Sequence, residues 1–282
     1  MPPQYVELHA RSAFSFLRGA ATPEELIAAC SELNMPAMAL LDNDGVYGAA
    51  RFHLAAQKVG IKAHIGAEIT VRSQTSEVRS QKPKGKVEQT FVVPLLIRNR
   101  AGYQNLCRLI TLMKMRVPKH AKPGECAITL DELAAYADGL VCLTGAEDGP
   151  LFSDGLGAGV ACARGGQRPP LNIQAAERLI EIFGRENVYA ELQRHFNRAE
   201  EARNHAVIEI ARKLKLSLLA TNGLCYATRV QRQVADVFTC IRNYVRLETA
   251  GRLLSINSER FVKSPKEMAE LFADLPEAIA NT

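Results

Sequence analysis

Seven short apolar runs recur along the chain, and most are followed by a stretch with helical spacing. This alternation limits the folds open to it. The runs cover residues 5–8, 37–41, 63–71, 91–97, 139–143, 188–192 and 217–220. Each is fairly rich in Val, Ile and Leu and mostly does not alternate with polar residues, as strands buried on both faces do. Between them, Thr22-Pro23-Glu24-Glu25 forms a capping box with Pro at the first helical position, followed by Leu26, Ile27, Ala29, Cys30 and Leu33 on one stripe. Residues 102–115 repeat the pattern through Leu106, Leu109, Ile110 and Met113, and further helices are expected over 131–137, 175–183 and 198–214. Strand followed by helix, repeated, predicts a parallel sheet. About seven such units in about 220 residues predict a closed α/β barrel rather than an open sheet.

Two segments interrupt the rhythm. Residues 73–89 are polar and basic (Arg79, Lys82, Lys84, Lys86) and are expected to form an exposed loop or hairpin insertion. Residues 152–170 are Gly-rich and read as a surface loop. The barrel is therefore assigned to 1–227, with insertions at 73–89 and 152–170, and 228–282 to a helical extension. Within that extension Ser264-Pro265-Lys266-Glu267 is a second capping box, before Met268, Leu271 and Phe272. The chain then stops as though a helix had started with none to follow, which reads as a truncation.

Composition excludes several classes. No run approaches the roughly 20 apolar residues of a membrane span. The opening residues lack a basic stretch before an apolar one, so no signal peptide is expected. The seven cysteines include no Cys-x-x-Cys pair, and several lie in apolar runs. Reduced, packed thiols in a cytoplasmic protein are the expectation. A net charge of +5, from 35 Lys and Arg against 30 Asp and Glu, is compatible with an anionic partner without requiring one.

In a parallel α/β barrel, function gathers where the strands end. The exits carry His9-Ala10-Arg11-Ser12, Asp42-Asn43-Asp44-Gly45, Gly66-Ala67-Glu68, Thr144-Gly145-Ala146, Gln193-Arg194-His195 and Thr221-Asn222-Gly223-Leu224-Cys225. Each has an ordinary reading. His9 suits a satisfied strand end, Asp42 and Asp44 a turn, Glu68 a pair with a nearby Lys, and His195 a loop contact. His53, His64, His120 and His205 show no ligand spacing. Taken together, His9, Asp42, Glu68 and His195 would share one rim, and imidazole with carboxylate suits zinc or manganese. Arg11, in their midst, would repel such a cation.

Longer motifs extend through these exits. The stretch from Glu7 to Ala20, Glu-Leu-His-Ala-Arg-Ser-Ala-Phe-Ser-Phe-Leu-Arg-Gly-Ala, resembles the opening motif of the PHP (polymerase and histidinol phosphatase) domain family. The version it looks most like is that of error-prone polymerases related to the alpha subunit of bacterial DNA polymerase III. Ala39 to Gly48 resembles the second motif and Ile65-Gly66-Ala67-Glu68 the third. Ala101 to Leu106, Glu191 to His195 and Ala220-Thr221-Asn222 extend the likeness over nearly the whole chain.

The resemblance implies a distorted seven-stranded (β/α)7 barrel whose active members hold up to three metal ions and cleave phosphate esters. It also implies losses. The second His of the opening motif is Arg11 here, an expected Asp is Arg18, and the second motif's His is Asn43. A ligand after the fifth strand is Ala146, and the closing Asp-x-His falls on Gly223 and Cys225. What remains is a vestigial rim of His9, Asp42, Glu68 and His195, with no metal expected, or zinc or manganese if the site is partly functional. A guanidinium is permanently charged and cannot ligate a cation. Arg11 and Arg18 would pair with Glu68 and Asp42, or else contact a phosphate directly.

Three functions follow as expectations. The first is a non-catalytic module bracing the palm and thumb of an error-prone polymerase in replication or translesion repair synthesis. It would reach DNA only through the full-length enzyme, whose catalytic acids would lie beyond Thr282. The second is a metal-dependent phosphoesterase or 3'-5' exonuclease. The third is an independent DNA- or partner-binding module using the basic insertion at 79–86.

Overall fold

A computed structural model of the chain describes residues 5–72, 90–118, 126–152 and 172–282. Among these residues, eight strands form one sheet: β1 (Glu7–Ala10), β2 (Ala37–Asn43), β3 (Lys62–Arg72), β4 (Thr90–Ile97), β5 (Ile128–Thr129), β6 (Leu140–Leu143), β7 (Val188–Leu192) and β8 (Ser217–Ala220). The path β1-β2-β3-β4-β6-β7-β8 contains seven of them, and the two-residue β5 pairs with the end of β3. The seven expected runs are these seven strands. The sheet curls until its ends meet. Leu224 N donates to His9 O and Arg11 N to Leu224 O, both at 3.0 Å, an isolated parallel bridge between Ala10 and Leu224. One bridge in place of a full ladder is the distortion of this barrel.

The sheet is not wholly parallel, contrary to the expectation from the sequence. β4 runs antiparallel to both β3 and β6. An unalternating apolar run reports burial on both faces, and a strand satisfies that in either direction. The segments at 73–89 and at 153–171 lie outside the described residues, and so do the loops expected there.

Among the described residues, ten helices accompany the sheet: α1 (Pro23–Glu32), α2 (Ala49–Val59), α3 (Arg100–Met115), α4 (Leu130–Ala135), α5 (Ile173–Phe183), α6 (Arg198–Leu214), α7 (Arg232–Asn243), α8 (Leu247–Ala250), α9 (Pro265–Leu271) and α10 (Pro276–Ala280). α1 begins at the expected capping box. Thr22 Oγ1 accepts from Glu25 N at 3.3 Å, and Glu25 Oε2 accepts from Thr22 N at 2.7 Å. α2 was not legible, because Gly48 starts it with no side-chain cap. α9 begins at the expected Ser264 capping box, and the start at Leu275-Pro276, read as having no helix after it, forms the short α10. Leu275, Ala278 and Ile279 join the main core, and Asn281 Nδ2 donates to Leu218 O of β8 at 2.8 Å. Among the described residues no helix is long and apolar enough to cross a membrane.

Candidate functional site

The strand exits converge on a buried polar layer. Glu7 and His9 lie two residues apart on β1, so both side chains take the same face, and both are buried. β3 contributes Glu68 and β7 contributes Glu191, buried as well. His9 Nδ1 lies 2.6 Å from Glu191 Oε1, and His9 Nε2 lies 2.8 Å from Glu68 Oε1. An ionised carboxylate only accepts, so both ring nitrogens donate and the ring is an imidazolium. Arg11 closes the series from the solvent side. Its Nε donates to Glu68 Oε2 at 2.6 Å and its Nη2 to Glu68 Oε1 at 2.5 Å. The order Glu191, His9, Glu68, Arg11 alternates in sign and sums to zero.

The titration behaviour follows from this order. Burial opposes charge on His9, but Glu191 and Glu68 outweigh it and lift its pKa to about 10. Burial also opposes charge on Glu68, and Arg11 with His9 holds that carboxyl far below its ordinary range. Glu191, equally buried, is held low by His9, with Thr221 and Gln193 donating to the same oxygen. Its other oxygen, Oε2, has no hydrogen-bond partner among the described residues. Glu7 accepts from Tyr5 Oη at 2.8 Å and from His9 N and Asn222 N at 2.9 Å each, yet burial raises its pKa to about 7.

The structure gives Asp42, Asn43 and His195 partners outside this series, and leaves Ala146 and Cys225 beside it. Asp42 is a hub for the loop after β1. Its Oδ1 accepts from Ser12 N at 3.0 Å and from Ser12 Oγ and Ser15 Oγ at 2.8 Å, and its Oδ2 accepts from Gly48 N at 2.9 Å. It pairs with neither Arg11 nor Arg18, contrary to one expectation. Asn43 Nδ2 donates to Asp44 Oδ2 at 3.0 Å, and so serves the turn. His195 is buried against Glu200, Nδ1 to Oε1 at 2.7 Å, and against Asn222 O, from Nε2 at 2.8 Å. Burial and the Arg260 guanidinium hold its pKa below the ordinary value. Ala146 lines a small cavity with Glu191, Gln193 and Glu200. Gly223 has φ +52°, and a Cβ there would meet the Gln193 amide at 2.5 Å. Cys225 Sγ lies 3.6 Å from Arg11 Nη1.

Residues 7–195 match the sequence pattern of the PHP domain. The chain belongs to the PHP domain family. It is 33% identical to an error-prone DNA polymerase of Anaeromyxobacter sp. (strain K), over 99% of this chain and 22% of that one. It is 30% identical to DNA polymerase III subunit alpha of Borreliella burgdorferi, over 99% of this chain and 23% of that one. The chain thus spans less than a quarter of the length of these curated relatives. An amidohydrolase from Chromobacterium violaceum is a structural neighbour with TM-score 0.43 and 16% identity, over 79% of this chain and 88% of that one.

The resemblance of this PHP domain implies divalent ions at the strand exits. The side chains present do not fit them. Both His9 nitrogens and both Glu68 oxygens are engaged by other groups of the chain. An imidazolium has no lone pair to give, and Arg11 puts a fixed cation where a ligand would be. Among the described residues, no three His, Cys, Asp or Glu are grouped to hold a metal ion. Glu191 and Glu7 were not among the expected site residues, although each is an acid inside or beside an apolar run. A charge in such a position demands a buried partner.

Proposed function

We propose that this chain is the PHP module of an error-prone polymerase of the DNA polymerase III alpha type, and that its metal centre has been replaced by ion pairs. In this reading residues 1–227 are the barrel and 228–282 the helical extension towards the palm. The module works as architecture in replication or translesion repair synthesis in the cytoplasm, and DNA is engaged by the rest of the polymerase. The observation that carries it is the Glu191–His9–Glu68–Arg11 series, in which side-chain cations occupy the place of metal charge. Further support comes from α7, where Val234, Val237 and Ile241 lie on one face and are 42%, 47% and 53% exposed. An apolar helix face open to solvent is suited to a packed partner. The relatives carry more than three quarters of their length outside the matched region, which supplies one.

The test is elemental analysis of the purified chain, with assays for phosphoesterase and 3'-5' exonuclease activity in added zinc and manganese. The expected result is substoichiometric metal and no metal-dependent release of phosphate or nucleotides. One or more tightly held ions per chain, with such release, would establish the hydrolase reading instead.

A further inference from the structure

The outward side of α7 is apolar along its whole length. A 3-10 turn over Arg229–Gln231 runs straight into the helix, so residues 229–243 form one helical stretch. Val230, Val234, Val237, Ile241 and Tyr244 follow one another at steps of four, three, four and three. At 3.6 residues per turn all five fall within an arc of about 80°. All five are exposed. The opposite side, with Arg232, Ala235, Asp236 and Thr239, is half-buried. A surface helix ordinarily turns polar residues to water, and this one turns an apolar stripe to it. Tyr244 ends the helix at φ +54°, a left-handed backbone that is costly for a bulky residue, yet its side chain is 97% exposed. The chain holds that strained turn for a ring that touches little of its own molecule. Steps alternating between four and three are those of the seam along which two helices interlock.

We propose that this stripe pairs with the same stripe of a second copy of the chain, antiparallel about a two-fold axis at Val237. Unlike helices select each other through charges beside the seam, and none are present here. The bordering residues Gln231, Gln233, Phe238, Cys240 and Val245 are all uncharged, so two copies meet without like-charge repulsion. The arginines at the start of the stretch are already satisfied. Arg229 Nη1 lies 2.9 Å from Glu259 Oε1, and Arg232 Nε lies 3.4 Å from Asp236 Oδ2. Side-chain size selects the antiparallel sense. It sets Val230 against Tyr244 and Val234 against Ile241, with Val237 against itself, so that small residues face large ones. A parallel pair would oppose Tyr244 to Tyr244 and would align the two helix dipoles. A two-fold contact of this kind closes at two copies. The inference goes beyond the polymerase reading, under which the rest of a longer chain would compete for the same stripe.

The experiment is sedimentation velocity of the chain from roughly 1 to 200 µM. A mass near 30.9 kDa is expected at the dilute end, rising towards twice that value at the concentrated end. The contact is small, so the dissociation constant is expected at roughly 10–100 µM. Val234→Glu and Ile241→Glu each place an unpaired charge in the seam, and each is expected to weaken association about tenfold or more. Val59→Glu, an exposed change on α2 away from the stripe, is expected to associate as the parent does. Urea unfolding confirms that each variant is folded, and the concentration dependence of the parent needs no variant. Mixing the Val234→Glu and Ile241→Lys chains is expected to restore association, because the pairing sets these positions opposite each other. Restoration by Val234→Lys instead would mean parallel helices and would overturn the arrangement. A 30.9 kDa species throughout, or undiminished association of Val234→Glu and Ile241→Glu, overturns the proposal. Metal analysis of the same sample reports separately on the ion-paired centre, so the polymerase reading is tested apart from this one.

Discussion

His9 is enclosed by two carboxylates, so its proton links the stability of the chain to pH. Its folded pKa of about 10 lies above the ordinary 6.5, so the folded chain holds the proton more tightly than the unfolded chain. That stabilisation is complete below pH 6.5, erodes as pH climbs, and is gone above about 10. Glu68 and Glu191 have the opposite sign. Their folded pKa values are below the ordinary 4.5, so their contribution is full above that pH and is lost as pH falls through the lowered values. Glu7, raised from 4.5 to about 7, favours the folded state in acid and ceases to do so by pH 7. The urea midpoint is therefore expected to decline between pH 7 and 10. In His9→Gln the midpoint should be lower at pH 6, by about 3–5 kcal/mol of unfolding free energy, because Glu191 loses its cation in the interior. The alkaline decline should also flatten. An unchanged alkaline slope in that variant would show that the proton lies elsewhere. His9 and Glu68 were legible from the strand ends and from the motif. The pairing with Glu191 was not, because residues 9, 68 and 191 meet only once three strands have been placed.

At the scale of elements, local chemistry announced itself where a side chain did the work. The capping boxes at Thr22 and Ser264 and the apolar stripes of α1 and α3 are visible in sequence because their partners lie within four residues. α2 and α7 have no side-chain cap at their starts, and strand direction depends on distant neighbours, so these were not legible. Gly102 shows a further kind of constraint. It lies in the first turn of α3, where Asn99 Oδ1 caps its N–H at 2.9 Å and the helix is pressed against the turn before β6. A Cβ at Gly102 would sit 1.9 Å from Gly139 O, which is backbone and cannot swing aside. Alanine is the better helix former, so an open site would gain about 1 kcal/mol from Gly102→Ala. Here overpacking is expected to dominate, with a net loss of about 1–3 kcal/mol in chemical unfolding. A stabilised Gly102→Ala protein would mean that α3 does not approach β6 this closely.

Across the whole molecule, the end of the chain packs on its beginning. Thr282 Oγ1 accepts from Val6 N at 3.2 Å, α10 covers β8, and residues from Tyr5 to Ile279 belong to one apolar core. Arg194, just beyond β7, binds Asp274 through both terminal nitrogens and stacks over Phe272 with its carbon 4.8 Å from the ring centre. A barrel joined by one bridge has little ladder to hold its ends together, so this covering of β8 supports the closure that positions His9 beside Glu191. Ile279→Ala should therefore cost about 2–5 kcal/mol, as truncation of a buried aliphatic residue does. The loss should appear throughout the molecule, with far-ultraviolet circular dichroism and tyrosine fluorescence moving to a lower urea midpoint together. Non-coincident transitions, with only a small part of the signal shifting, would mean that the last helices unfold by themselves and that the barrel closes without them.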